Sequence, residues 1–237
     1  MDAAEYARSG GRSPTYVNSL HLPLELGDIF EKSGGRLFVL IAPPCDLMVR
    51  RKGHRADSMK EAVLAEIIGE VSDERRNVTW ELPYFDRATK RYVDFKRTLS
   101  VKLFGLDLCV FNSDGNASIT PGEPSPEHLI PPWAARYAVL QQELKPVLKK
   151  IGAGWKSSNH QQRSNALNSD LGIDHNRVFA PTFKPSTCTL RYDFKRLTRL
   201  VAPRSNALLT TYGQFLSRSA FEHDLETPKN PLAGKTS

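Results

Sequence analysis

Cys45 and Asp46 stand side by side in Ile41-Ala42-Pro43-Pro44-Cys45-Asp46-Leu47-Met48-Val49-Arg50-Arg51-Lys52-Gly53-His54-Arg55. A cysteine becomes a nucleophile when its pKa is lowered and a base lies within hydrogen-bond reach. Arg50, Arg51 and His54 follow closely. His223, flanked by Glu222 and Asp224, offers a base from the far end of the chain. The plainer alternative is a turn: cysteine is among the most buried residue types, and an aspartate after prolines bonds the backbone two residues on. No local signature of a cysteine enzyme accompanies the pair, so the turn is the preferred reading.

Metal-dependent phosphodiester cleavage is a second chemistry to weigh. Asp86 and then Asp94-Phe95-Lys96 fall across an expected hairpin, an acid followed by D-x-K. The carboxylates would hold magnesium and the lysine would orient the attacking water. D-x-K is frequent in charged chains, however, and recurs here at Asp193–Lys195.

Cations form the third constellation. Arg50, Arg51, Lys52, His54 and Arg55 make one cluster, and Lys90, Arg91, Lys96 and Arg97 another. Arg191, Lys195, Arg196, Arg199 and Arg204, interleaved with Tyr192 and Phe194, make a third. Such clusters hold phosphates, and aromatics beside them stack bases. Period-two alternation places Tyr192 and Phe194 opposite Arg191 and Lys195, hence in the core, so the phosphate contact survives and the stacking does not. A net charge of +7 over 237 residues and a pI near 9.4 favour an acidic partner: DNA, RNA or an acidic protein face. His160, Asp170, Asp174 and His175 lack ligand spacing, and the phosphate-loop, dinucleotide and nucleophile-elbow motifs are missing. No metal and no cofactor are therefore expected.

Three cysteines, at 45, 109 and 188, make neither a disulfide framework nor a zinc site and suggest a reducing compartment. The polar N-terminus has no hydrophobic segment of a signal peptide. The longest apolar run, Leu37–Ala42, is far short of a membrane span. A cytoplasmic protein without membrane contact is expected.

The elements that must carry these residues read as α+β, mainly β. A flexible leader covers 1–17, a single domain 18–226 and a mobile tail 227–237. Within the domain, 18–120 reads as a small curled antiparallel sheet or SH3-like barrel of about seven short strands. Ser33-Gly34-Gly35 turns the first hairpin, and residues 63–71 lean towards strand over helix. Residues 77–85 and 90–97 form a hairpin around Asp86–Thr89. In 99–111 the apolar alternation changes phase at Gly105, as at a bulge where a sheet curls. Residues 133–150 carry Trp133, Tyr137, Leu140, Leu144 and Val147 at helical spacing, with Pro146 interrupting the last turn. Polar residues 152–180 read as one long loop. Residues 187–194 form a late strand closing the sheet and 203–226 a helix, with a capping box at Ser219–Glu222 that would start a second short one.

Two resemblances attach to these strings. Gly27-Asp28-Ile29-Phe30 followed by Leu37–Ile41 resembles the opening of the small SH3-like barrels of PemK-type toxins; the catalytic residues of those RNases are not matched. Pro43-Pro44-Cys45-Asp46-Leu47-Met48-Val49-Arg50 and Leu216–Leu225 resemble an uncharacterised group of bacterial proteins from defence-type loci. That resemblance implies a component of a multi-protein assembly. The expected function is thus a non-enzymatic binding or adaptor module that meets a protein partner, a nucleic acid or both through its basic clusters. A nuclease using Asp86, Asp94 and Lys96 is the alternative, ahead of a Cys45 enzyme.

Overall fold

The computed structural model describes residues 16–56, 58–82 and 89–224, except for the side chains of 219–224. Eight strands form one antiparallel sheet that stays open. They are β1 (Asp28–Lys32), β2 (Arg36–Ile41), β3 (Glu61–Ile68), β4 (Thr79–Leu82), β5 (Arg91–Lys102), β6 (Asn116–Ile119), β7 (Pro181–Lys184) and β8 (Thr189–Arg199). The order is β4-β5-β3-β2-β1-β8-β6. β7 shares an edge of β8 with β1: β1 pairs with residues 194–199 and β7 with 189–192. The sheet therefore does not close into the barrel that the toxin resemblance implied.

Both faces of the sheet are apolar, because the central strands are apolar without interruption. In β2, Phe38 and Leu40 point to one side while Leu37, Val39 and Ile41 point to the other. The first face adds Phe30, Leu64, Leu190, Tyr192 and Phe194 and lies under helices α4 (Pro131–Gly154) and α5 (His160–Leu171). The second adds Ile29, Ala65, Ile67, Val93 and Phe95 and lies under α6 (Arg204–Asp224), whose Tyr212 and Phe215 rings meet Phe95 at 5.4 and 5.6 Å. Among the short helical turns that complete the fold are α1 (Tyr16–Ser19), α2 (Pro44–Leu47) and α3 (Leu103–Asp107). Burying each large apolar side chain contributes roughly 1.5–3 kcal/mol, so this double-faced packing is the main source of stability.

The α+β expectation holds, but helix outweighs strand, 38% against 28%, because two stretches fold otherwise than expected. Residues 91–102 form one continuous strand; 103–107 and 108–111 are then helical turns, not strand. Gly105 is there for close approach: a Cβ on it would stand 2.7 Å from Ile173 Cγ2. The expected loop 152–180 contains the end of α4 and all of α5, and β7 begins directly after it. α5 begins with a capping box: Asn159 accepts from the Gln162 N–H, and Gln162 accepts from the Asn159 N–H, each at 2.9 Å.

Smaller corrections concern boundaries. α4 continues through Pro146, and Leu148 is buried more fully than Val147. α6 is continuous past Ser219, so no second helix starts there. Residues 44–47 form a helical turn with proline at its first position. Leu47 and Val49 bury into the core without rejoining the sheet. Of the expected leader, Tyr16 and Val17 belong to α1; residues 1–15 and the tail lie outside the described residues, as does Asp86 with its turn. Among the described residues no helix is long and apolar enough to cross a membrane.

Candidate nucleic-acid interface

After Val49 the chain forms a tight tip. The Gly53 N–H donates to the Arg50 carbonyl at 2.8 Å, and the Arg50 N–H donates to the His54 carbonyl at 2.9 Å. Gly53 has a φ of +78°, and a Cβ on it would lie 2.5 Å from the Ala135 backbone. Only glycine suits this position, so the tip is seated directly on the first turns of α4. Arg50, Arg51 and Lys52 are exposed and form no ion pair among the described residues.

Arg55 turns the other way. Its Nη1 and Nη2 donate to the two carboxylate oxygens of Asp107 at 2.8 and 2.6 Å, and its Nε donates to the Leu47 carbonyl. The side chain is 5% exposed and lies over the Trp133 ring at 5.7 Å. Arg136 of α4 donates its Nε to the same carboxylate at 2.9 Å. Burial alone would raise the Asp107 pKa; the adjoining Arg55 and Arg136 charges and their hydrogen bonds more than offset that and hold it below the ordinary value. Arg55 is thus held in the fold and does not stand exposed with Arg50–Lys52, a correction to the first cluster.

Beside this triad is a cavity of about 270 Å3 lined by His54, Arg55, Lys60, Lys102, Arg136 and Glu143, with Met59, Leu103 and Phe104 as its apolar walls. The ends of two paired strands bring in Lys60 and Lys102, since the Leu103 N–H donates to the Lys60 carbonyl at 2.9 Å. Lys102 Nζ also donates to the Gly172 carbonyl. Three separate segments therefore converge here: the tip, the β5–α3 junction and the start of α4.

The third cluster is largely committed to the core. Arg196 is fully buried; it donates to Asn18 Oδ1 at 2.7 Å, to the Val17 and Leu22 carbonyls at 3.0 and 2.9 Å, and lies 3.4 Å from Asp28. Arg199, 8% exposed, is paired with Asp28 at 2.7 Å and Glu25 at 2.6 Å. Both side chains are withdrawn into the fold, which corrects their expected place on an exposed basic face. Arg191 and Lys195 do face solvent, opposite the buried Tyr192 and Phe194 as the alternation required, but Lys195 is paired with Glu31 at 3.1 Å.

The D-x-K string is divided by a bulge. Ala65 pairs with Thr98 while Glu66 pairs with Asp94, leaving Phe95, Lys96 and Arg97 looped between them. Asp94 is fully buried; its Oδ1 accepts the Lys96 N–H at 3.0 Å, and its Oδ2 meets Arg75 at 2.7 Å and Arg97 at 3.6 Å. The carboxylate pins the bulge, with both oxygens occupied. Lys96 is exposed. Among the described residues no group of three or more acidic, His or Cys side chains is placed to hold a metal ion.

Cys45 is exposed, and its thiol donates to Asp46 Oδ1 at 3.3 Å. That hydrogen bond, then burial and the Asp46 charge, push the thiol pKa up, the opposite of what a nucleophile needs. The side chains of His223 and Asp224 lie outside the described residues.

Arg136 and Asp107 carry no signal in the sequence. Asp107 lies 52 residues from Arg55 and 29 from Arg136, and neither residue belongs to a motif. No protein-family model, curated protein or solved structure matches the chain.

Proposed function

We propose that this chain is a non-enzymatic binding component of a bacterial multi-protein assembly of the defence type, and that it contacts nucleic-acid phosphates through the Arg50–Lys52 tip. The observation that carries this reading is the tip. Three consecutive exposed cations, seated on α4 by Gly53, have no carboxylate partner among the described residues. Elsewhere Arg55, Arg75, Arg196 and Arg199 are paired with carboxylates. Phosphate is the counter-ion such a patch suits, and binding it releases condensed cations.

Arg50→Glu with Arg51→Glu tests the reading. Fluorescence anisotropy with single- and double-stranded DNA and RNA, all with hydroxyl ends, is measured from about 50 to 200 mM salt. The wild type binds, with a steep salt dependence. The variant loses at least about tenfold in affinity, and its log–log salt slope falls by about 2, because each arginine removed frees roughly one phosphate from neutralisation. Equal affinity and slope in the two proteins, or no binding by the wild type, would sink the proposal.

A further inference from the structure

The hollow beside the Asp107 triad differs from the tip in what it can select. Arg136 is 12% exposed and held by Asp107 through Nε alone. Its two terminal nitrogens make no hydrogen bond among the described residues, and the side chain lines the cavity. A guanidinium fixed at one nitrogen, with its other two donors uncommitted beside a cavity, is pre-organised for two parallel hydrogen bonds to an oxyanion. Lys60 and Lys102 stand at the same cavity.

We propose that this hollow binds a phosphate monoester, the terminal phosphate of a nucleic-acid strand or of a free nucleotide. The proposal deepens the nucleic-acid reading and rests on it for the strand as source. Two observations select a monoester. Formal charge is the first: among the described residues, Arg55, Arg136, Lys60 and Lys102 against Asp107 and Glu143 leave a surplus of two. A monoester carries about −1.5 to −2 near neutral pH, whereas a diester within a strand carries one negative charge per phosphate. The second is size. About 270 Å3 is at the small end of ligand pockets, roughly 300–1,000 Å3. It admits a phosphate and the sugar that bears it, with Leu103 and Phe104 as an apolar wall, and excludes a duplex.

The test compares one oligonucleotide in 5′-phosphorylated, 3′-phosphorylated and hydroxyl-ended forms by anisotropy. In parallel, adenosine 5′-monophosphate is compared with adenosine by thermal shift. A phosphorylated end should tighten binding at least about tenfold, as expected for one or two charge-assisted hydrogen bonds. Arg136→Gln should abolish that preference while leaving the hydroxyl-ended strand bound as before. Lys60→Gln with Lys102→Gln, which does not touch the Asp107 triad, should do the same, so the outcome does not depend on whether the arginine variant folds. Arg50→Glu with Arg51→Glu should weaken all three strands equally. Strands that bind regardless of their ends, with no shift from the monophosphate, would overturn the monoester site and leave the proposed function standing. If no strand binds but the monophosphate stabilises the wild type and not the double lysine variant, the proposed function falls and the hollow is a nucleotide site. No strand binding and no shift would overturn both.

Discussion

Asp28 and Asp107 are both fully buried, and each sits between two arginines. Around Asp28 every nitrogen of Arg196 and Arg199 has a protein acceptor: Asn18, Glu25, the aspartate itself and backbone carbonyls of the 17–23 segment. Around Asp107, Arg55 is equally committed but Arg136 spends only Nε. The same ionic recipe thus gives a closed lock in one place and an open fork in the other. A buried carboxylate between cations says little about role; the count of uncommitted donors says more.

Asp28→Asn should have the largest effect. It leaves two buried guanidiniums facing a neutral amide, and breaking a buried pair costs about 3–5 kcal/mol. Urea unfolding at neutral pH would show it as a fall in midpoint, and an effect under about 1 kcal/mol would break the description of this cluster as a lock. Asp107→Asn should cost less, about 2–3 kcal/mol, because Arg136 can turn towards the hollow and regain solvent. If the two substitutions cost the same, the open-fork contrast fails. The smallest effect is in the pH dependence. Asp107 has a lowered pKa in the folded state, so its contribution is complete above the ordinary aspartate value of about 3.9 and is lost as pH falls through the lower folded value. Wild type should therefore lose stability more steeply than Asp107→Asn below about pH 4; parallel curves would contradict the assignment.

Much of the sheet can be read from the chain. The β1–β2 hairpin follows from Ser33-Gly34-Gly35, with Gly34 and Gly35 at φ of +98° and +84°. In β8 the same parity that buries Leu190, Tyr192 and Phe194 carries on to Arg196, so its burial is legible; grouping the cations by proximity in sequence hides it. α5 is hard to see because its apolar stripe is thin, with only Leu167 and Leu171 buried; Asn159-x-x-Gln162 is the signal it offers. The hollow is not legible at all. Its residues come from positions 54–56, 59–60, 102–104, 136 and 143, and only the packing of α4 over the β5–α3 junction brings them together.

β1 has one neighbour in the strand that follows it and another in β8, with Asp28 and Arg199 171 residues apart. On a ribosome the first hairpin emerges with one edge bare and with Asp28 lacking both of its counter-charges. It stays so until the last strand has been made. A nascent chain arrested before Thr189 would present that row of unpaired amides and carbonyls to any other strand nearby. The order of assembly is therefore set by topology and not by translation: β1, the first of the described strands, is among the last of them to be completed.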